Sequence, residues 1–106
     1  DDQVFDVKQS PGGLMDLEFL VQYLVLRRAP AFPAVATWSD NVRQLQAMTE
    51  VGVLSASEGE GLREAYLAIR SQLHATVLAG QPGQVAPVLL QDHAAFVRRC
   101  WKQILS

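Results

Sequence analysis

Apolar positions along this chain fall into four blocks at helical spacing, separated by proline and glycine. The first helix starts near Gly12 and Gly13, passes through the run "FLVQYLVL" and ends at about Arg28; its apolar side chains cover almost the whole circumference. Apolarity all round predicts the central, most buried helix of the fold. Ser10–Pro11 just upstream reads as its N-cap and first turn, where proline gives up an N–H that lacks an intrahelical partner anyway. Arg27 and Arg28 close the helix with the charge its C-terminal dipole favours, and the two prolines of "APAFPAV" forbid continuation.

The second block places Val42, Leu45 and Met48 on one stripe. Thr37 and Ser39 in "TWSD" offer capping hydroxyls at its start, and Gly52 suits the left-handed residue that ends a helix. The third block opens on Ser55 and Glu58 at capping-box spacing. Leu62, Tyr66, Ile69, Leu73 and Val77 then repeat at helical spacing down to Gly80. Gly59 and Gly61 weaken its first turns by about 1 kcal/mol each relative to alanine, so that end either frays or packs tightly on a neighbour. "GQPGQVAP" reads as a loop. The fourth block runs from about Leu89 or Asp92 to Leu105, with Phe96, Val97, Cys100, Trp101, Ile104 and Leu105 as a wide apolar face. Beyond an extended "QVFDV" no strand is predicted, and there is no internal repeat. The expected fold is all-α: a helical bundle of four to five helices with a short extended N-terminal segment, forming a single helical domain over residues 1–106.

Composition narrows the function classes. At 106 residues, 49% hydrophobic and 19% charged, the chain is globular rather than disordered and has one core. A net charge of −2 offers no basic surface to displace counterions, so nucleic acid is not an expected partner. The longest apolar run is broken by Gln22 and is too short to span a bilayer, so no membrane contact is expected. "DDQVFD" lacks the basic start of a signal peptide, and the single Cys100 forms no internal disulfide. A cytoplasmic location is expected. An opening without methionine, in an extended and partly apolar stretch, is how a piece of a longer protein reads.

Candidate chemistry is sparse. His74 and His93 lie in different helices without further ligands at metal spacing, so they read as surface or boundary residues. Cys100 sits on the apolar face beside Trp101 and reads as a small buried hydrophobe; as a thiolate beside Arg98 and Arg99 it lacks a partner base. "RRCWK", with Lys102, reads as a solvated helix terminus or as a docking patch. Trp38 and Trp101 are expected to anchor packing.

The stretch "SPGGLMDLEF" is different. Asp16 and Glu18 favour the positive end of a helix, which explains the carboxylates but not two consecutive glycines. A glycine pair lets a backbone approach closely, and free first-turn N–H groups bind phosphate or carboxylate. Lys8 adds a cation just upstream. Asp16 and Glu18 project about 200° apart, so they do not ligate one ion unaided. Capping and anion binding both remain open on the residues alone.

"FDVKQSPGGLMDLEFLVQYLVLRR", "WSDNVRQLQAM", "GVLS" and "LREAYLAIRSQLH" resemble, in order and over nearly the whole chain, the C-terminal helical region of glutamine synthetase adenylyltransferases. The pattern K-x-x-x-G-G-x-x-D-x-E-F-x-x-Q is met by Lys8, Gly12, Gly13, Asp16, Glu18, Phe19 and Gln22. The resemblance is to the unit that follows the adenylylating nucleotidyltransferase domain of a bifunctional enzyme. It implies a parent that transfers AMP from ATP to a tyrosine of glutamine synthetase, using Mg2+, under control by glutamine and the PII signalling protein. It also implies that Lys8, Gly12, Gly13, Asp16, Glu18 and Gln22 face the nucleotide site of that preceding domain. The Gly-Ser and Asp-x-Asp motifs of such transferases are missing here, so no catalytic residue and no metal ligand is expected within the chain. By itself it should be inactive and bind neither ATP nor Mg2+ tightly. The competing expectation is a non-catalytic interaction bundle that docks PII or glutamine synthetase through an exposed apolar or basic patch elsewhere.

Overall fold

The structure is a computed structural model that describes residues 4–80 and 83–105. Gln3 of the expected extended segment and Gln81 and Pro82 of the expected loop lie outside the described residues. The chain begins with β1, Phe5–Asp6, and then forms four helices: α1 (Leu14–Arg28), α2 (Asn41–Glu50), α3 (Ala56–Leu78) and α4 (Gln91–Leu105). Short 3-10 turns at Pro33–Ala36 and Pro87–Leu89 precede α2 and α4. The fold is all-α, with one addition. Part of "GQPGQVAP" is a strand rather than a loop: β2, Gln84–Val85, pairs antiparallel with β1, Phe5 opposite Val85.

The core lies where the helices meet. Leu17, Leu20, Val21 and Leu24 of α1 face Leu45 and Met48 of α2, Leu62 and Ile69 of α3, and Val97 of α4, all buried. Val7, fully buried, donates its N–H to Gly83 O at 2.9 Å and so ties the N-terminal segment to the turn before β2. The α1 helix holds six buried residues, more than any other element, but it is not enclosed. Its apolar circumference is buried on one side only; Met15, Phe19, Gln22 and Leu26 are exposed on the other. Trp101 is half-buried and packs on the core, whereas Trp38 is exposed beneath the Arg43 guanidinium, 4.7 Å from its ring centre, and lies outside the core.

Helix ends follow local chemistry where the sequence supplies it. Ser55 and Glu58 form both bonds of the capping box, at 3.1 and 2.9 Å. Gly52 and Gly80 take positive φ just beyond α2 and α3. Two expected caps are not formed. Thr37 and Ser39 do not cap α2; Asp40 does, accepting from the Val42 and Arg43 amides. A carboxylate is the stronger acceptor for a helix N-terminus and sits one residue closer. Nor is Ser10–Pro11 the start of α1, which begins at Leu14 with Gly13 at the N-cap.

Gly59 and Gly61 do not fray. A Cβ on Gly59 would overlap Thr49 Oγ1 of α2, and one on Gly61 would overlap the Phe96 ring of α4. The two glycines lower helix propensity so that α3 can be approached closely by both neighbours.

Candidate functional site

The expected site is a corner where the N-terminal segment enters α1. Asp6 Oδ1 accepts from the Lys8 and Gln9 amides at 3.0 and 2.9 Å, a side-chain-closed turn. The Ser10 hydroxyl accepts the Asp6 N–H at 2.9 Å, which is why it is not available to cap the helix. Lys8 sits on this turn, fixed at its backbone and exposed at its side chain.

The turn then folds back over the helix start. Val7 O accepts the Leu14 N–H at 2.8 Å and Lys8 O accepts the Met15 N–H at 3.0 Å. Asp16, one turn inside α1, accepts the Gly12 N–H through Oδ2 at 2.8 Å. Two of the first-turn donors that a phosphate would use are therefore occupied by the protein's own carbonyls. The expectation of free first-turn amides does not hold for Leu14 and Met15, because the preceding turn places carbonyls on the helix axis.

The glycine pair has a packing reason. Gly12 has φ +81, and a Cβ there would meet the backbone of Ala94 in α4, with its carbonyl carbon 2.9 Å away. A Cβ on Gly13 would lie 2.8 Å from Val7 O and 2.9 Å from Ser10 O. Neither position needs a ligand to account for it.

Of the residues singled out in sequence, Lys8, Gly12, Gly13 and Asp16 share this corner. Glu18 is half-buried farther along α1, about 200° around the helix from Asp16, and Gln22 is exposed on its outer side. One residue joins that the N-terminal pattern does not contain: Arg98 Nη1 donates to Pro11 O at 3.1 Å across 87 residues of sequence. Pro11, Asp16, Val97, Arg98 and Trp101 line a cavity of about 270 Å3 there. The basic run "RRCWK" was visible in sequence, but nothing local links it to the start of α1.

Other chemistry lies apart from the corner. A larger cavity of about 500 Å3 between α2 and α3 is lined by Glu50, Glu60 and Arg63, so carboxylates outnumber the cation and an anionic ligand is disfavoured. Burial pushes the Cys100 thiol up to about 11; the Glu58 charge adds to this and Arg99 opposes it. The thiol is thus protonated at neutral pH and a poor nucleophile. Among the described residues no three His, Cys, Asp or Glu side chains come together as a metal site, and no helix is long and apolar enough to cross a membrane.

A family model described as GlnD PII-uridylyltransferase matches residues 2–102. The chain is also similar to a bifunctional glutamine synthetase adenylyltransferase/adenylyl-removing enzyme of Mannheimia succiniciproducens, with 39% identity over 104 residues. That match covers 98% of this chain but 11% of the relative, so the chain spans about a tenth of the relative's length.

Proposed function

Because this chain belongs to the GlnD PII-uridylyltransferase family, we propose that it is an accessory helical domain of a longer nucleotidyltransferase. In this reading the Lys8–Asp16 corner lines the nucleotide site of a preceding catalytic domain. That domain transfers AMP from ATP to a tyrosine of glutamine synthetase, with the PII protein as a regulatory partner, and so adjusts nitrogen assimilation in the cytoplasm. The observation that supports the reading is the corner itself: a turn closed by Asp6 that leaves Lys8 out to solvent, and a second cation, Arg98, that reaches Pro11 O three residues on.

Phosphoryl-type transfer relies on positioning and on neutralising charge on the phosphate oxygens. Lys8 supplies a compact ammonium for that purpose, and Arg98 a guanidinium with donors beyond the one used on Pro11 O. Asp16 has a positioning role, since its bond to Gly12 N–H fixes how the Lys8 turn meets the helix. Magnesium does not fit here: Asp16 already spends one oxygen on an amide, and no metal-binding cluster exists among the described residues. The residues that hold the metal belong to the catalytic domain.

In the full-length enzyme Lys8→Ala is expected to slow AMP transfer by about 10-fold or more, equivalent to about 1.4 kcal/mol of transition-state stabilisation. Tm should be unchanged, because the Lys8 side chain is exposed and only its backbone is bonded. Steady-state transfer of labelled AMP and a thermal melt check both halves. Unchanged turnover per folded molecule would leave the corner as structure only.

A further inference from the structure

The cavity of about 270 Å3 at the α1 entry is built from both ends of the chain. Pro11, Val97 and Trp101 give it apolar walls, while Asp16 and Arg98 each bring a charge. Trp101 is half-buried, and the Phe19 ring packs against its indole at 5.4 Å between centres, tilted by 34°, which helps hold that ring in place. Asp16 spends Oδ2 on the Gly12 N–H and keeps Oδ1 as an acceptor. Arg98 is tied to Pro11 O through Nη1 at 3.1 Å and has further donors.

We propose that this cavity receives the base of the nucleotide, with Trp101 as its stacking surface and Asp16 Oδ1 as the acceptor for the exocyclic amine of adenine; the inference rests on the reading of the corner as one wall of a nucleotide site. Size selects a part of the ligand. At about 270 Å3 the cavity is below the ~300–1,000 Å3 of a site that encloses a whole drug-sized molecule. Chemistry selects which part. Phosphate and ribose have no aromatic face to set on an indole, whereas every base stacks on one. A carboxylate repels phosphate but accepts from the amino group that adenine carries. Continuity selects the nucleotide. Pro11 and Asp16 flank the Gly12–Gly13 pair that follows Lys8, so a base held here is joined through its ribose to phosphates on the Lys8 side. Arg98 belongs to both, since it lines the cavity and is bonded to the segment that carries Lys8. The phenol of the acceptor tyrosine is the competing occupant, and kinetics separate the two.

The test is photolabelling of the full-length enzyme with 2-azido-ATP, whose reactive group is on the base. The label is expected on the peptide that carries Trp101, and excess ATP should suppress it by about 10-fold or more. ATP-sensitive label confined to other peptides would overturn the proposal. In steady-state AMP transfer, Trp101→Ala should raise KM for ATP by about 10-fold and leave KM for glutamine synthetase unchanged. Trp101→Phe, which restores an aromatic wall, should recover most of that loss. A rise in KM for glutamine synthetase alone would overturn the proposal in favour of the phenol. Photolabelling uses the unsubstituted enzyme, so it decides the matter even where Trp101→Ala does not fold. Lys8→Ala keeps the two readings apart. If it slows transfer while the label falls elsewhere, the base assignment alone is lost. If it has no effect while the label falls on the Trp101 peptide, the Lys8 role is lost and the base assignment stands.

Discussion

Replacing Gly12 with alanine is expected to destabilise the protein by about 3 kcal/mol, from two separate causes. The first is conformational: φ +81 at Gly12 is left-handed, which costs an L-residue roughly 1–2 kcal/mol. The second is the backbone of Ala94, whose Cα and carbonyl carbon both lie 2.9 Å from the added Cβ. Backbone cannot rotate away like a side chain, so α4 must shift at a further cost of about 1–3 kcal/mol. Gly52 separates the causes, because it has φ +84 with nothing within 4 Å of its Cβ position. Gly52→Ala should lose only the conformational part, about 1 kcal/mol. Urea titrations of both variants provide the comparison. Equal losses would mean that α4 does not press on the α1 entry.

Gly59→Ala reverses the effect that helix propensity alone predicts. In a helix interior this change should stabilise by about 1 kcal/mol. Here the added Cβ would overlap Thr49 Oγ1 and lie 3.1 and 3.2 Å from Thr49 Cβ and Cγ2. The Thr49 hydroxyl can turn away only by giving up its bond to Leu45 O at 2.8 Å, and Thr49 Cβ stays close in every rotamer. A net loss of about 2 kcal/mol is expected. In a Thr49→Ala background the penalty should largely vanish, giving a coupling of about 1–2 kcal/mol in a double-mutant cycle. A stabilising Gly59→Ala in the otherwise unchanged protein would contradict the close crossing of α2 and α3.

The four helices were legible because their signals are local. Ser55 and Glu58 satisfy each other within one turn, and Gly52 and Gly80 end helices by their own backbone freedom. The α1 entry was not legible, because its amides are capped by Val7 and Lys8 carbonyls delivered by a turn that Asp6 closes. Likewise the glycine pair is explained by Ala94, Val7 and Ser10, and the first of these is some eighty residues away. Arg98 reaches Pro11 over a similar distance, and β2 forms only because β1 is beside it. Apolar periodicity also overstated the burial of α1, since it reports that a face is apolar and not what covers it. Of the candidate residues, Lys8, Gly12, Gly13 and Asp16 lie together at the entry to α1, whereas Glu18 and Gln22 lie on other faces of that helix.

The most direct measurement of the central claim is acylation of the full-length enzyme by an acyl-phosphate derivative of ATP, which transfers its acyl group to a lysine lying against the bound phosphates. Peptide mapping by mass spectrometry should place the acyl group on Lys8, and excess ATP should suppress it by about 10-fold or more, as expected for mass-action competition at one site. Lys8 acylation that ATP leaves unchanged, or ATP-sensitive acylation confined to other lysines, would contradict a corner that lines the nucleotide site.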